Sequence, residues 1–213
     1  MKIVFAHNVY NRYATLKNTI EIENNLFPDS KISVAHNGDE FIKMSDVKIV
    51  NFNEKPHKIG CVNGCILSIQ QLLNDEFSVL IFSHDDVFIN ANYIKTVTRH
   101  IEDINNGVYD IICRKPSCGY GDNYYMMEII YFSKFAAVEI FREIRTFDNE
   151  NSLPCDIRDK ISPEVWLYNI FNNKNLKIKI IEFEPNNIST YNEQLNEQMG
   201  FTHKNAGIRG WTD

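Results

Sequence analysis

Residues 79–87 read Val-Leu-Ile-Phe-Ser-His-Asp-Asp-Val, an apolar run that ends in a polar cluster. Such a run of apolar residues is typical of a strand that is buried on both faces of a sheet. The serine, the histidine and the two aspartates then lie at the carboxyl end of that strand, where open α/β sheets bind their ligands. The stretch therefore predicts an α/β fold with a ligand site beside Asp85 and Asp86.

Short apolar runs alternate with amphipathic stretches on both sides of this strand. The predicted strands are residues 2–7, 31–36, 47–52, 78–82, 108–113, 126–132 and 177–183. The predicted helices are residues 13–25, 62–74, 94–104, 135–144 and 163–171, while 184–213 show no clear period. This order predicts a mostly parallel, mixed sheet that is flanked by helices on both faces.

Length, charge and cysteine content narrow the class of protein. A chain of 213 residues suits one domain, and a net charge of -6 gives no electrostatic footprint for binding nucleic acid. No run of 18 apolar residues predicts a membrane span, and the first residues lack the apolar core of a signal peptide. Five cysteines, an odd number, favour free thiols in the reducing cytoplasm. The abrupt end at residues 210–213 suggests a domain of a longer, multi-domain chain.

The adjacent carboxylates of Asp85 and Asp86 repel each other unless a proton or a cation lies between them. Mg²⁺ commonly binds one or two carboxylates together with phosphate oxygens and water. The neighbouring imidazole of His84 favours a transition metal such as Mn²⁺. The alternative is a solvated turn in which the two aspartates cap the following helix.

With these residues the chain resembles the GT-A glycosyltransferases, in which a strand ends in an Asp-x-Asp motif that binds a metal ion and the donor ribose. The similar stretch here is Ser83-His84-Asp85, followed by Asp86. The resemblance implies that Asp85 and Asp86 bind Mn²⁺ or Mg²⁺, that Asp86 also serves catalysis, and that Ser83 occupies the place of the ribose contact. It further implies a Rossmann-like half that binds the nucleotide sugar, residues 1–105, and an acceptor-binding half with a C-terminal lid, residues 106–213.

The same resemblance implies donor contacts on three segments. The loops after the first two strands would hold the nucleotide base, and a stretch similar to the family's basic-Gly-x-x-Asn sequence would run under the diphosphate. The donor-binding residues so implied are His7, Asn8, Tyr10, Arg12, Asn37, Lys58 and Asn63. The alternative is that these are ordinary turn residues and a solvated lysine.

Two further segments look like parts of the family's acceptor side. Glu164, at the start of a helix, lies where many members carry a carboxylate that faces the acceptor, and it can act as a general base. A carboxylate there also complements the helix dipole, which is the alternative. In the C-terminal segment, the resemblance implies His203 as a metal ligand and Lys204 and Arg209 as diphosphate contacts; the alternative is a frayed tail.

These expectations describe a metal-dependent enzyme that transfers a sugar from a nucleotide donor, in first place a UDP-sugar, to a hydroxyl of a glycan or glycoprotein. A more specific resemblance is to virus-encoded glycosyltransferase domains that decorate capsid glycans. A sugar-phosphate nucleotidyltransferase is the nearest enzyme alternative, although residues 7–12 lack the glycines of its triphosphate-binding loop. A non-catalytic carbohydrate- or nucleotide-binding module is the alternative from another class.

Overall fold

The computed structural model of the protein describes residues 1–10, 12–54, 57–117, 125–147, 163–184 and 188–204, with the side chains of 57, 58, 163 and 188 excepted. The strands are β1 (Ile3–Tyr10), β2 (Lys31–Asn37), β3 (Val47–Phe52), β4 (Val79–His84), β5 (Val87–Ile89), β6 (Ile111–Pro116), β7 (Ile129–Ser133), β8 (Ile178–Phe183) and β9 (Phe201–His203). The helices are α1 (Tyr13–Leu26), α2 (His57–Gln70), α3 (Ile94–Asn105), α4 (Lys134–Phe141), α5 (Pro163–Asn172) and α6 (Ile188–Met199). No helix in these ranges is both long and apolar enough to span a membrane.

Seven strands form one mixed sheet in the order β3-β2-β1-β4-β7-β6-β8. Strands β3, β2, β1 and β4 are parallel, β7 is antiparallel to both of its neighbours, and β8 is parallel to β6. The predicted α/β architecture, with a mostly parallel sheet between helices, is thus confirmed. Because β1 and β4 pair in register, Asn8 lies beside His84 and the ends of the two strands meet at one edge.

Helices cover both faces of the sheet, and alternation along β4 divides its side chains between them. Phe82 packs in the core under α2, α4 and α5, whereas Ile81 packs in the core under α1, α3 and α6. Each fully buried side chain of this size contributes about 1.5–3 kcal/mol through the area that it removes from water. The same alternation directs Ser83 and His84 to opposite faces, which determines their roles below.

Three segments differ from the sequence prediction. Helix α2 begins at His57 rather than at residue 62, and residues 188–199 form a helix where none was predicted. The third difference is a small second sheet, in which β9 pairs antiparallel with β5. Asp85 and Asp86 form the turn between β4 and β5, so they do not cap a helix. Short strands of three residues are too brief to show a period, which is why the pattern missed them.

We expect the buried His100 to lower the free energy of unfolding as the pH decreases. It is buried between α3 and α6, where Nε2 lies 2.6 Å from the Gln198 carbonyl oxygen. Burial, aided by Lys179 and Arg99, lowers the pKa of His100 to about 4. Between pH 6.5 and 4 the unfolded chain therefore binds a proton that the folded chain does not, and the free energy of unfolding decreases by up to about 3 kcal/mol.

Urea unfolding at pH 7 and pH 4 measures this loss in the wild type and in His100→Gln. The glutamine keeps a donor for the Gln198 carbonyl but does not titrate, so we expect the variant to lose less stability than the wild type. Equal losses in the two proteins would contradict the assignment to His100.

Candidate active site

A cavity opens at the carboxyl ends of β1, β2 and β4, the edge that the sequence predicts for a ligand. Its lining residues are Asn8, Tyr10, Arg12, Asn37, Gly60, Cys61, His84, Asp85 and Asp86. The enclosed volume is about 50 Å³, which is room for roughly three to five waters. The enclosed part thus suits an ion or one polar group, and a larger ligand would extend across its mouth.

Asp85 is held at this edge by the end of β1. Its backbone N–H donates to the Asn8 carbonyl oxygen at 3.2 Å, and its Oδ2 accepts from the backbone N–H of Tyr10 at 3.4 Å. The residue is only 6% exposed. A carboxylate fixed in this way lies between the ends of two parallel strands and lines the cavity.

Asp86 lies between two basic side chains from distant parts of the chain. Its Oδ2 accepts a hydrogen bond from Arg12 Nη1 at 2.6 Å, and its Oδ1 lies 3.7 Å from His203 Nε2. Burial alone would raise the pKa of Asp86, but His203, His84 and Arg12 outweigh that cost and hold the pKa below its ordinary value. Asp86 is therefore an anion at neutral pH.

The second sheet brings His203 to this position. In it Val87 pairs with His203, and the Lys204 N–H donates to the Asp86 carbonyl oxygen at 2.7 Å. The His203 ring packs edge-on against Tyr191 of α6, with ring centroids 6.1 Å apart. The C-terminal segment through residue 204 is thus anchored beside the acidic turn by backbone pairing and by one aromatic contact.

Beneath Tyr191 lies a buried ion pair between Arg114 and Glu128. Arg114 Nη1 donates to Glu128 Oε1 at 2.6 Å, and the other carboxylate oxygen accepts from the Tyr191 hydroxyl. The Glu128 carbonyl oxygen also accepts the N–H of His84 at 3.2 Å. This pair therefore supports both the end of β4 and the helix that contacts His203.

Two glycines let α2 approach the strand ends closely. A Cβ on Gly64 would lie 2.0 Å from Asn8 Oδ1, and one on Gly60 would lie 1.9 Å from Asn37 Nδ2. Asn8 Nδ2 donates to the Cys61 carbonyl oxygen at 3.1 Å across the same gap. Only glycine allows this approach, so α2 forms one wall of the cavity.

These features can be compared with those of known proteins. No family model and no curated protein sequence matches the chain. Among solved structures, it is similar to a glycosyltransferase involved in the glycosylation of the major capsid of PBCV-1, with a TM-score of 0.57 and 12% identity over 95% of this chain and 92% of that chain. The chain has the GT-A fold. A weaker likeness is to the galactosyltransferase LgtC in complex with donor and acceptor sugar analogues, with a TM-score of 0.48 and 11% identity over 84% of this chain and 73% of that chain.

The GT-A fold brings four of the ten predicted donor residues to the cavity, together with the two aspartates that were predicted to bind a metal ion. Those lining it are Asn8, Tyr10, Arg12, Asn37, Asp85 and Asp86. Asn37 is held there by two hydrogen bonds with the backbone of Glu54, at 2.9 and 3.2 Å. Polar side chains from the ends of three strands and from the residue before α1 therefore converge, as a ligand site requires.

His7 and Ser83 of the GT-A domain lie elsewhere. Both are fully buried on the face toward α1, where His7 Nδ1 is 3.0 Å from Ser83 Oγ and His7 Nε2 is 2.8 Å from Glu23 Oε2. Burial raises the pKa of Glu23, and His7 opposes that shift. Sequence reasoning missed Glu23, although a charged residue in line with Leu16 and Ile20 on one helix face is a usable signal.

Asn63 is also buried away from the cavity. It donates to the Phe147 carbonyl oxygen at 2.7 Å, accepts from the Phe147 N–H at 2.8 Å, and contacts Glu54. It thereby ties α2 to the loop after α4. Lys58 lies in the first turn of α2 with its side chain outside the described residues, Lys204 is exposed, and Arg209 lies outside the described residues.

Glu164 lies in the first turn of α5, within electrostatic reach of the cavity. Desolvation of the Cys61 thiol raises its pKa, and the negative charges of Glu164, Asp85 and Asp86 raise it further. The thiol of Cys61 lies 3.9 Å from His84 Nε2. Glu164 and the acidic turn therefore act on the same wall of the cavity, and Cys61 stays a neutral thiol there.

In the described ranges, no group of three or more His, Cys, Asp or Glu side chains is arranged to hold a metal ion. The three predicted ligands nonetheless lie near one another, because Asp85 and Asp86 are adjacent and His203 is beside Asp86. The Asp86 carboxylate is hydrogen-bonded to the guanidinium of Arg12 instead.

The close contact at Gly64 predicts that replacing this helical glycine by alanine destabilises the protein, opposite to the usual effect. Replacing glycine by alanine inside a helix normally stabilises by about 0.5–1 kcal/mol. Here the added Cβ overlaps Asn8, so we expect Gly64→Ala to lower the free energy of unfolding by about 1–3 kcal/mol. Urea unfolding of Gly64→Ala, Asn8→Ala and the double variant tests this, since the loss should vanish when Asn8 is already truncated. A Gly64→Ala protein more stable than the wild type would refute the close packing.

Proposed function

We propose that the chain is a metal-dependent glycosyltransferase, which transfers a sugar from a nucleoside diphosphate, in first place UDP, to a hydroxyl of a glycan. The observation that carries the proposal is the pair of buried, adjacent carboxylates of Asp85 and Asp86 at the carboxyl end of β4. They lie in a GT-A fold, and the PBCV-1 protein that shares this fold is a glycosyltransferase.

The side-chain atoms beside the cavity are suitable ligands for a divalent cation. Asp85 and Asp86 supply carboxylate oxygens, and His203 supplies a nitrogen 3.7 Å from Asp86 Oδ1. Two metal–ligand bonds of about 2.1 Å each span up to roughly 4.2 Å, so one ion can contact both atoms. The imidazole favours Mn²⁺ over Mg²⁺. When bound, such an ion stabilises the negative charge that grows on the leaving diphosphate.

The basic groups around the cavity complete the donor site. Arg12 lines the cavity, and the exposed Lys204, which follows His203, is held by its backbone N–H on the carbonyl oxygen of Asp86. We assign Arg12, Lys204 and the predicted Arg209 to the diphosphate, with Lys58 beside the N-terminus of α2, where anions bind favourably. Tyr10 and Asn37, at the ends of β1 and β2, are assigned to the nucleotide base.

Glu164 is assigned to the acceptor. Its negative charge acts on Cys61, which lines the α2 wall of the cavity, and this supports the assignment. If the reaction inverts configuration, Glu164 accepts the proton of the attacking hydroxyl. If configuration is retained, the same carboxylate orients the acceptor and the departing phosphate takes the proton. In both cases Asp86 stays ionised beside the donor.

A glycoprotein acceptor and a cytoplasmic location complete the proposal. The PBCV-1 protein is involved in the glycosylation of a major capsid protein, so a glycoprotein glycan is the first acceptor to test. Among the described residues Cys61, Cys65 and Cys113 are free thiols, as suits the reducing cytoplasm.

The proposal predicts that donor turnover requires a divalent cation. Purified protein is incubated with a panel of UDP-, GDP- and dTDP-sugars plus Mn²⁺, and release of the nucleoside diphosphate is measured with and without excess EDTA. We expect release from one donor class with Mn²⁺ and less than one hundredth of that rate in EDTA, because the leaving group then lacks its counter-charge. Undiminished release in EDTA would refute the metal role.

Two other outcomes favour the alternative functions. Tight nucleotide-sugar binding without release, under every acceptor tried, would indicate a binding module. Release of pyrophosphate from UTP and a sugar phosphate would indicate a nucleotidyltransferase.

A further inference from the structure

Arg12 occupies the place where a cation would bind Asp86. Its Nη1 lies 2.6 Å from Asp86 Oδ2, and the two side chains are only 20% and 11% exposed. A partly buried, charge-assisted hydrogen bond of this length is strong and is weakly screened by salt. The carboxylate that a metal ion needs is therefore already neutralised by the chain itself.

The position of Arg12 leaves its side chain available for other partners. It is the residue before α1, and its side chain makes no capping hydrogen bond to that helix. Its backbone carbonyl oxygen accepts the Leu16 N–H at 3.0 Å, which fixes the backbone but not the guanidinium. Within the described ranges, the hydrogen bond that its guanidinium makes is the one to Asp86.

Guanidinium chemistry determines what can displace this contact. Arginine does not lose its proton near neutral pH, so pH does not release it. A free divalent cation would have to share Asp86 with a positive charge that repels it. A diphosphate offers the planar fork of the guanidinium a second set of anionic oxygens, to which it binds at least as well as to a carboxylate.

We propose that Arg12 is a tethered cation that competes with the divalent metal for Asp86 and moves to the diphosphate when the nucleotide binds. This deepens the proposed function and rests on its metal site. It makes metal and nucleotide binding mutually dependent, because each partner is favoured once Arg12 has left the carboxylate. Such coupling is reciprocal: the factor by which UDP raises the Mn²⁺ affinity equals the factor by which Mn²⁺ raises the UDP affinity.

Mn²⁺ binding tests this directly, with the signal of free aqueous Mn²⁺ in electron paramagnetic resonance as the readout. The wild type, Arg12→Gln and Arg12→Lys are titrated with Mn²⁺ in the absence and presence of UDP. We expect Arg12→Gln to bind Mn²⁺ at least tenfold more tightly than the wild type when UDP is absent. UDP should raise the Mn²⁺ affinity of the wild type at least tenfold but that of Arg12→Gln less than threefold. Arg12→Lys keeps the charge and should stay close to the wild type.

Lys17→Gln is the matched control. Lys17 is an exposed cation on α1, the helix that follows Arg12, so its replacement removes the same charge from a nearby position without touching Asp86. We expect its Mn²⁺ affinity to remain within twofold of the wild type, and a larger change would assign the effect to net charge and overturn the inference. Circular dichroism confirms that each variant is folded, and Arg12→Met serves if Arg12→Gln is not.

The outcomes separate the inference from the function on which it rests. Equal Mn²⁺ affinities for the wild type and Arg12→Gln overturn the inference and leave metal-dependent transfer standing. If no form binds Mn²⁺ even with UDP, the metal-dependent function is wrong and the inference fails with it.

Discussion

Replacing Asp85 by asparagine is expected to lower the rate of sugar release by about three orders of magnitude without unfolding the protein. Asparagine keeps the size of the side chain and an oxygen that can accept the Tyr10 N–H. It removes the negative charge through which Asp85 would hold a cation at the leaving group. Loss of one preorganised electrostatic contact at such a site typically lowers the rate by about 10²–10³-fold, and loss of a metal ligand belongs at the upper end.

The measurement is the rate of nucleoside diphosphate release at saturating Mn²⁺, with the thermal midpoint as a check on folding. Asp29→Asn is the control, because Asp29 is an exposed carboxylate before β2 at the opposite edge of the sheet. It should keep the wild-type rate. If Asp85→Asn retains more than about a tenth of the activity, Asp85 is not a metal ligand in the reaction.

The second large effect concerns the buried contact between His7 and Glu23. We expect Glu23→Leu to lower the free energy of unfolding by about 3–5 kcal/mol, since it leaves the imidazole of His7 buried without its partner. The substitution keeps roughly the same volume, so little of the loss would come from a cavity. Urea denaturation at pH 7 measures the change.

The double variant His7→Phe, Glu23→Leu provides the matched comparison. Replacing both partners by apolar side chains removes the unpaired imidazole and leaves one smaller polar group, the Ser83 hydroxyl, without its His7 contact. Replacing both members of a buried pair generally costs much less than removing one of them. We therefore expect the double variant to recover most of the stability that Glu23→Leu loses. Losses that simply add would show that the two side chains act independently and would contradict the contact.

The arrangement of strands and helices was largely predictable because it depends on neighbours along the chain. The run of apolar residues before Asp85 identified β4 as a buried strand, and the α/β alternation around it predicted the sheet. Since parallel strands present their carboxyl ends at one edge, the location of the cavity followed from the same pattern. The helix at residues 188–199 was not predicted because its apolar residues form only a thin stripe among polar side chains. Tyr191, Leu195 and Met199 recur at every fourth position.

At the start of α2, tertiary packing outweighs the low helix propensity of the residues. Gly60 and Gly64 each disfavour a helix by roughly 1 kcal/mol relative to alanine, and the pattern placed the start of the helix after Gly60, at residue 62. In the folded protein the absence of their side chains allows Asn37 and Asn8 to approach, and that packing favours the helix from His57 onward. The free-energy cost of the two glycines in the helix is smaller than the stabilisation from the packing that they allow.

The composition of the site depends on contacts that no local pattern contains. Alternation along a strand says that His7 and Asn8 face opposite ways, but only the packing of α1 and α2 against the sheet determines that Asn8 faces the cavity. The meeting of Arg12, Asp86 and His203 requires the β5–β9 pairing between segments far apart in sequence. Periodicity reflects interactions within a few residues, whereas these contacts form only when the whole sheet and its helices are packed.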